Sequence, residues 1–327
     1  MKQAADVRPE PTFQRKAAIA YAGPRDHRGK VEVREIPNFD LNRTIFQTLE
    51  SPAARYMMTK RVGKEPHWSD AAAKAVQADY DATVAGLELP EVDPALLQFL
   101  VDECDFDVEH ADGSFLDHLY FGYEYCAKHY PQGSPLVMLL HSILGTGTNT
   151  FAMKAAKIPQ LQALVPAADW VHIESFPSVL RLLYSGEIRA ELRANLGREI
   201  REVSMRRVID NAPITLTGAQ WWEALNYQLV HLVDFIPVAN WTAHHSDTSF
   251  ILFRDVYDLL GKAGHLDAAV EYRPASGATP VEGEALGLGG WLTTKLPEGL
   301  VEKMAGKSVK RFSEQCGHSL EYSIQWA

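Results

Sequence analysis

The chain contains very little cysteine. Its 327 residues include only Cys104, Cys126 and Cys316, which are far apart in the sequence. Three scattered cysteines supply neither a disulfide framework nor the clustered thiolates of a cysteine zinc site. The low cysteine content therefore favours a reducing compartment and argues against the small, disulfide-rich class of secreted domains.

Long apolar runs and an excess of positive charge are also missing. No stretch approaches the roughly 18 uninterrupted apolar residues of a membrane span, and the first residues, MKQAADVRPEPTFQRK, lack the apolar core of a secretory signal. The formal net charge is -10, whereas general nucleic-acid binding depends on Lys and Arg side chains that neutralise phosphates. We therefore expect a cytoplasmic protein with neither a membrane nor a nucleic acid as partner.

The residues that are present indicate a globular, mainly helical protein. Apolar residues make up 46% of the chain and charged residues 23%, which is enough to build a substantial core. Apolar positions recur at helical spacing through the middle of the chain, while both ends have irregular patterns. We predict an all-α domain over residues 45–270, preceded by an irregular arm (1–44) and followed by a short β or irregular extension (271–327).

Several helix boundaries can be predicted within this domain. Asp93 is a plausible N-cap because Pro94 follows it at the first helical position, and Thr217 with Gln220 has the spacing of a capping box. The segment SFPSVLRLLYSGEIRAELRANLGREIREVSMRRVID has Arg and Glu at spacings of three and four, which predicts one or two amphipathic helices. Further helices are predicted from residue 115 to before Pro131, over PLVMLLHSIL from Pro135, near 156–165, and over 248–264.

Two histidines in the segment DHLYFGYEYCAKHYPQGSPLVMLLHSILGT, residues 117–146, suggest a functional site. His118 begins one predicted helix, and His141 lies near the end of the next. If these helices pack antiparallel across the turn PQGS, the two imidazoles converge and can share a metal ion. The plain alternative is that each ring hydrogen-bonds a nearby carbonyl in the core.

The same segment resembles a known superfamily. LDHLYFGYEY and LLHSILGT are similar to an uncharacterised branch of the HD superfamily, whose members have Leu-Asp-His-Leu and a later Phe-His-Ser-Val-Tyr-Gly-Thr. The match covers roughly residues 108–265. It implies an HD-like helical bundle in which His, then His-Asp, then a distant Asp are the metal ligands, and it implies phosphohydrolase chemistry.

The sequence departs from this superfamily at one ligand. Ser142 follows His141, where the superfamily has the Asp that bridges two metals in its dinuclear members. A hydroxyl is a poor bridge, so we expect a single divalent ion, Fe, Mn or Zn, rather than two. Two neutral imidazoles and one carboxylate suit such an ion and leave coordination positions open.

The third ligand has several candidates. Asp234 in HLVDFIP is the best by position, because it lies on the late helix that would supply the last Asp of the superfamily, and Asp210 is second. A surface or capping role for Asp234 is an equally good interpretation. His110 could add a further ligand, or it could be a loop histidine. Asp117 directly precedes His118, so its side chain points about 100° away around the helix and would orient a ligand or bind an Arg.

These residues lead to a functional hypothesis. We expect a metal-dependent enzyme that acts on a small molecule, with His118, His141, Ser142 and Asp117 at the reaction site and with His118, His141, Asp234 and His110 as metal ligands. Hydrolysis by metal-activated water is slightly favoured, and a mononuclear iron oxygenase is the alternative. A metal-free, small-molecule-binding protein is the non-catalytic alternative. The two terminal segments can cross to a second copy, so a homo-oligomer is an open prediction.

Overall fold

The structure is a computed structural model that describes residues 85–110, 113–145, 153–235, 248–270 and 295–327, with a few positions nearer the N-terminus such as Arg34. These residues form a mostly helical protein with a small three-stranded sheet, so the expected helical character is confirmed and its all-α form is not. No helix in the described ranges is both long and apolar enough to cross a membrane. The apolar spacing also predicts helices over SPAARYMMTKRV and SDAAAKAVQADYDATVAGLEL, and these segments lie largely outside the described residues.

Nine α-helices and five strands make up the described part of the chain. The helices are α1 Pro94–Cys104, α2 Phe115–His129, α3 Pro135–Leu139, α4 Ile158–Gln162, α5 Ala167–Ser185, α6 Glu187–Ala194, α7 Gly218–Phe235, α8 Thr248–Ala263 and α9 Glu298–Gln315. The strands are β1 Glu109–His110, β2 Gly113–Ser114, β3 Ile200–Arg206, β4 Pro213–Thr217 and β5 Ser323–Trp326.

The predicted signals at two helix starts are confirmed. The Asp93 carboxylate accepts a hydrogen bond from the Ala95 N–H at 2.8 Å, and Pro94 occupies the first turn of α1. At α7 the Thr217 N–H donates to the Gln220 side chain at 2.9 Å, while the Gln220 N–H donates to the Thr217 hydroxyl at 3.3 Å. This reciprocal pair satisfies two N–H groups that the first turn of a helix leaves without helical partners.

Helix α7 lies at the centre of the fold. It packs against α2, α3, α5 and α8 and also against β3. Its residues Trp221, Leu225, Leu229 and Leu232 are fully buried. The helix therefore carries any polar side chain on its inner faces into the middle of the protein.

The second half of the Arg-rich segment is a strand, and the prediction of helix there is wrong. β3 pairs antiparallel with β4 on one side and with β5 on the other. A register shift between Ile200 and Glu202 moves the strand by one residue, so that Ile200 and Val203 are both buried although they are three positions apart. A bulge of this kind interrupts the alternating burial of a strand, so the apolar pattern did not contradict the helical spacing of Arg and Glu.

The C-terminal extension contains a helix that the sequence interpretation missed. α9 packs against α5 and α8, and β5 completes the sheet. The buried Arg181 of α5 donates to His318 Nδ1 at 3.2 Å, and its guanidinium lies 4.8 Å from the centre of the Phe312 ring. These contacts attach the last thirty residues or so to the helical core.

Candidate functional site

His141 lies in a buried turn directly after α3. Only 2% of its surface is exposed, and its Nδ1 is 2.6 Å from the Met138 carbonyl oxygen. Because a carbonyl only accepts, Nδ1 carries a proton, and in the neutral form of the ring the lone pair lies on Nε2. Histidines that bind metals are commonly held in this way, with one nitrogen donating to the protein and the other facing the ion.

The same contact explains why α3 is shorter than predicted. The segment PLVMLLHSIL was expected to be one helix, but α3 ends at Leu139. In a longer helix the Met138 carbonyl would accept from the Ser142 N–H, four positions on. The Met138 carbonyl accepts from the His141 side chain instead. The backbone continues in tight turns, in which the Ile143 N–H donates to the Leu140 carbonyl at 3.1 Å.

A second buried histidine lies against His141. His231 of α7 is 6% exposed, and its ring centre is 4.6 Å from that of His141 with the planes inclined at 59°. The Phe176 ring of α5 contacts both imidazoles, at 5.1 Å from His141 and 5.2 Å from His231. The two imidazoles therefore share one apolar surrounding formed by three segments of the chain.

Sequence reasoning did not single out His231. It occurs in the apolar run QLVHLVDF, where one histidine reads as an ordinary core residue. The available signal was its spacing from Asp234, because residues three apart lie on one face of a helix. The pattern His-x-x-Asp on a central helix was therefore the sequence signal that could have identified His231.

The other predicted site residues are placed only through their backbones. His118 and Asp117 lie in the first turns of α2, Asp234 lies near the end of α7, and His110 lies in β1. Their side chains are outside the part of the structure that is described, so the convergence of His118 on His141 stays a prediction. Ser142 is buried beside His141, at 4% exposure.

The helices that carry these residues are neighbours. α2 packs on α3, and both contact α7. The approach of α2 to α3 is close, because a Cβ atom at Gly122 would be 3.3 Å from the Met138 side chain. Position 118 is therefore one helical turn from the point where α2 meets Met138, the residue whose carbonyl accepts from His141.

His172 forms a separate pair. Its Nε2 is 2.8 Å from a carboxylate oxygen of the half-exposed Glu223, while its Nδ1 is buried and meets no hydrogen-bonding group among the described residues. Burial lowers the pKa of His172 more than the Glu223 charge raises it. The ring also packs against Tyr227, 5.2 Å between centres.

Asp210, the second carboxylate candidate, is engaged elsewhere. It lies in the turn between β3 and β4, where its two oxygens accept from the Arg207 guanidinium at 2.9 and 2.7 Å. This hydrogen-bonded pair lowers the pKa of Asp210. The carboxylate acts in the structure as an ion-pair partner that stabilises the turn.

Within the described residues, no three His, Cys, Asp or Glu side chains are grouped closely enough to hold a metal ion. His141 and His231 are therefore a pair, and any further ligand would come from side chains outside that part. Comparison of the chain with known protein families, curated proteins and solved structures gives no match in any of the three. The resemblance to the HD superfamily stays a prediction, and the case for a function depends on the site itself.

Proposed function

We propose that this protein is a metal-dependent enzyme that acts on a small molecule at a site containing His141 and His118, with hydrolysis by metal-activated water as the favoured chemistry. The observation that supports the proposal best is the state of His141. A buried imidazole whose Nδ1 donates to the Met138 carbonyl at 2.6 Å presents Nε2 as its basic atom. This is the form of histidine that binds Fe, Mn or Zn ions.

The elements around His141 support this proposal. The helices that carry His118 and Asp234 both contact α3, whose end positions His141, so the proposed ligands lie on adjacent elements. A second imidazole, His231, is in ring contact with His141.

One ion is favoured over two. Ser142 stands beside His141 where a bridging carboxylate would be needed for a dinuclear centre. A single ion held by imidazoles and one carboxylate retains open positions for water and substrate, and such an ion lowers the pKa of a bound water toward neutrality. The same ligand set also suits a mononuclear iron oxygenase, which is the second candidate.

Metal content tests the proposal directly. We expect about one Fe, Mn or Zn ion per chain in the purified wild type, measured by elemental analysis, and loss of this ion in His118→Ala and His141→Asn. Asparagine at 141 is a matched replacement because its amide N–H lies where Nδ1 lies in histidine and can still donate to the Met138 carbonyl, while no atom takes the place of Nε2. His172→Gln is the control, since it removes a buried histidine that is bound to Glu223 and should retain the ion.

Oxygen dependence separates the two chemistries. A hydrolase that uses metal-activated water should be indifferent to anaerobic conditions, whereas an oxygenase should consume oxygen only when loaded with Fe(II). A wild-type protein that binds no metal after incubation with Fe, Mn or Zn would contradict the enzyme proposal and leave the metal-free, ligand-binding alternative.

A further inference from the structure

We infer that His231 is a direct ligand in this centre and that α7 supplies two ligands, His231 and Asp234, from one face. The inference rests on the proposed function and goes beyond it, because it assigns a residue to which neither the sequence motifs nor the resemblance gave a role. It also locates the proposed metal centre where the C-terminal end of α3 meets α5 and α7.

The geometry of the ring pair is the first argument. Metal–nitrogen distances of about 2.1 Å place two imidazoles that share an ion with their centres roughly 4.5 to 5.5 Å apart. His141 and His231 have centres 4.6 Å apart and planes inclined at 59°, so they are neither parallel-stacked nor remote. Both the separation and the inclination of the rings are compatible with joint ligation of one ion.

The position of His231 on α7 is the second argument. Asp234 follows it by three residues, and side chains at that spacing lie one above the other on a helix. Helical bundles that bind metals use the same device, in which a carboxylate and a histidine one turn apart project from one helix toward the same ion. Asp234, chosen from sequence for its position, thus gains a described neighbour that touches His141.

The packing of His231 is the third argument. His231 is 6% exposed, and its ring packs against Phe176 of α5, so the imidazole is held in the interior beside His141. The neighbouring side chain of Gln228 donates to the Phe176 carbonyl at 3.0 Å and so ties α7 to α5 at this level. The ring pair is therefore held by packing on both sides, which is how a binding constellation is kept in place.

His172 provides an internal comparison. It lies on α5 one turn before Phe176, it is as buried as His231, and Glu223 binds its Nε2. It makes its ring contact with Tyr227, which lies one turn before His231 on α7. The two histidines thus have similar burial and adjacent positions, yet only His231 contacts His141.

Cobalt substitution of a cysteine variant tests ligation by a signature that a packing role would not produce. In His231→Cys loaded with Co(II), a thiolate ligand should add a sulfur-to-cobalt charge-transfer band in the near ultraviolet, because thiolate is a strong ligand for such ions. We expect this band at one equivalent of Co(II) in His231→Cys and not in wild type or His172→Cys. Cobalt binding by His231→Cys without the band would overturn the inference.

Affinity and a measurement on the unaltered chain complete the test. His231→Gln should weaken Zn(II) binding by more than the roughly 10- to 100-fold that loss of an outer hydrogen-bond partner costs.

If the variants do not fold, wild type loaded with Fe(II) is treated with ascorbate in air and its peptides are examined for oxidised histidine. Oxidation of His141 and His231 with His172 spared supports the inference, and oxidation of His141 without His231 overturns it. A wild type that binds no metal removes the proposed function itself, which is a different result.

Discussion

Four buried histidines in the described part of the chain differ in their contacts. His141 donates to a backbone carbonyl and His172 pairs with a carboxylate. His318 donates from Nε2 to the Arg206 carbonyl at 3.0 Å and accepts from the Arg181 guanidinium at Nδ1. His231 is distinguished by its ring contact with His141. Burial alone therefore does not identify a functional histidine, whereas the identity of the neighbours does.

Substitution of Ser142 tests the proposal that the site holds a single metal ion. We expect Ser142→Asp to raise the bound Zn or Mn from about one to about two ions per chain, because a carboxylate beside His141 can bridge two ions where a hydroxyl cannot. Without metal the variant should be less stable than wild type, since Ser142 is buried and a carboxylate there would lack hydration. Elemental analysis and thermal unfolding with and without metal measure both effects.

Ser142→Asn is the matched control for this experiment. Its side chain has nearly the same size as Asp but no charge, so it should bind no additional ion. A folded Ser142→Asp protein with unchanged metal content would contradict the single-ion explanation.

The sequence revealed half of the candidate site. His141 could be recognised because it ends an apolar segment with a motif around it, and the structure places it in the interior as expected. The spacing of His231 from Asp234 was a local signal, but the contact of His231 with His141 could not be predicted, because it depends on how α7 packs against α3. A contact between residues far apart in the chain is not encoded in the spacing of either segment.

At the scale of secondary-structure elements, capped helices were predicted well and the sheet was not. α1 and α7 begin where Asp93 and the Thr217–Gln220 pair indicated. The helix predicted over β3 rested on the spacing of Arg and Glu, and the register shift that leaves Ile200 and Val203 buried three residues apart removed the alternation typical of a strand. Its strand pairing with β4 and β5 is a tertiary interaction, which overrides local propensity.

The junction of β3 with α7 yields a prediction about Gly218. A Cβ atom at this position would lie 1.9 Å from the Ile200 carbonyl oxygen, which belongs to the backbone and cannot turn aside. We expect Gly218→Ala to lower the free energy of unfolding by about 3 kcal/mol or more, at or above the upper end for overpacked sites. Urea unfolding followed by circular dichroism measures the change.

Gly261 in α8 is the matched control for Gly218. Nothing lies within 4 Å of a Cβ atom placed there, and the residue is in a helix. Gly261→Ala should stabilise the protein by roughly 0.5 to 1 kcal/mol, because alanine favours helix over glycine. Equal effects of the two substitutions would show that close approach to Ile200 does not govern position 218.

At the scale of the whole molecule, the C-terminal residues are part of the main body. α9 covers α5 and α8, β5 joins the sheet, and the Tyr322 hydroxyl donates to Glu191 of α6 at 3.0 Å. Periodic apolar residues such as Val301, Val309 and Phe312 were available as a helix signal, but the Gly-rich segment before them obscured it. The extension predicted as short and β or irregular therefore contributes a long helix as well as the strand β5.

The attachment of this segment predicts a pH dependence of stability. Burial and the positive charge of Arg181 lower the pKa of His318 from 6.5 to about 4. The hydrogen bond to the Arg206 carbonyl raises this pKa, but by less. The unfolded chain therefore takes up a proton near pH 6.5 that the folded chain resists until about pH 4, so stability falls as pH decreases through this range. The loss from this residue is on the order of 3 kcal/mol.

Comparison with His318→Gln isolates this contribution. The variant lacks the titrating group, so the stability difference from wild type should shrink between about pH 7 and about pH 4.5, measured by urea unfolding at each pH. A difference that stays constant over this interval would contradict the assignment, because other groups titrate equally in both proteins.

The contact between His141 and His231 joins points that are distant along the chain. From position 141 to position 231 the polypeptide runs 90 residues, through α4, α5, α6 and two strands of the sheet. An ion held by both rings would act as a removable cross-link, and closing so long a loop restricts the unfolded chain much as a disulfide does. Removal of this ion by a chelator would then remove the restraint on the unfolded chain as well as the chemistry. The elements inside that loop would unfold at a lower denaturant concentration.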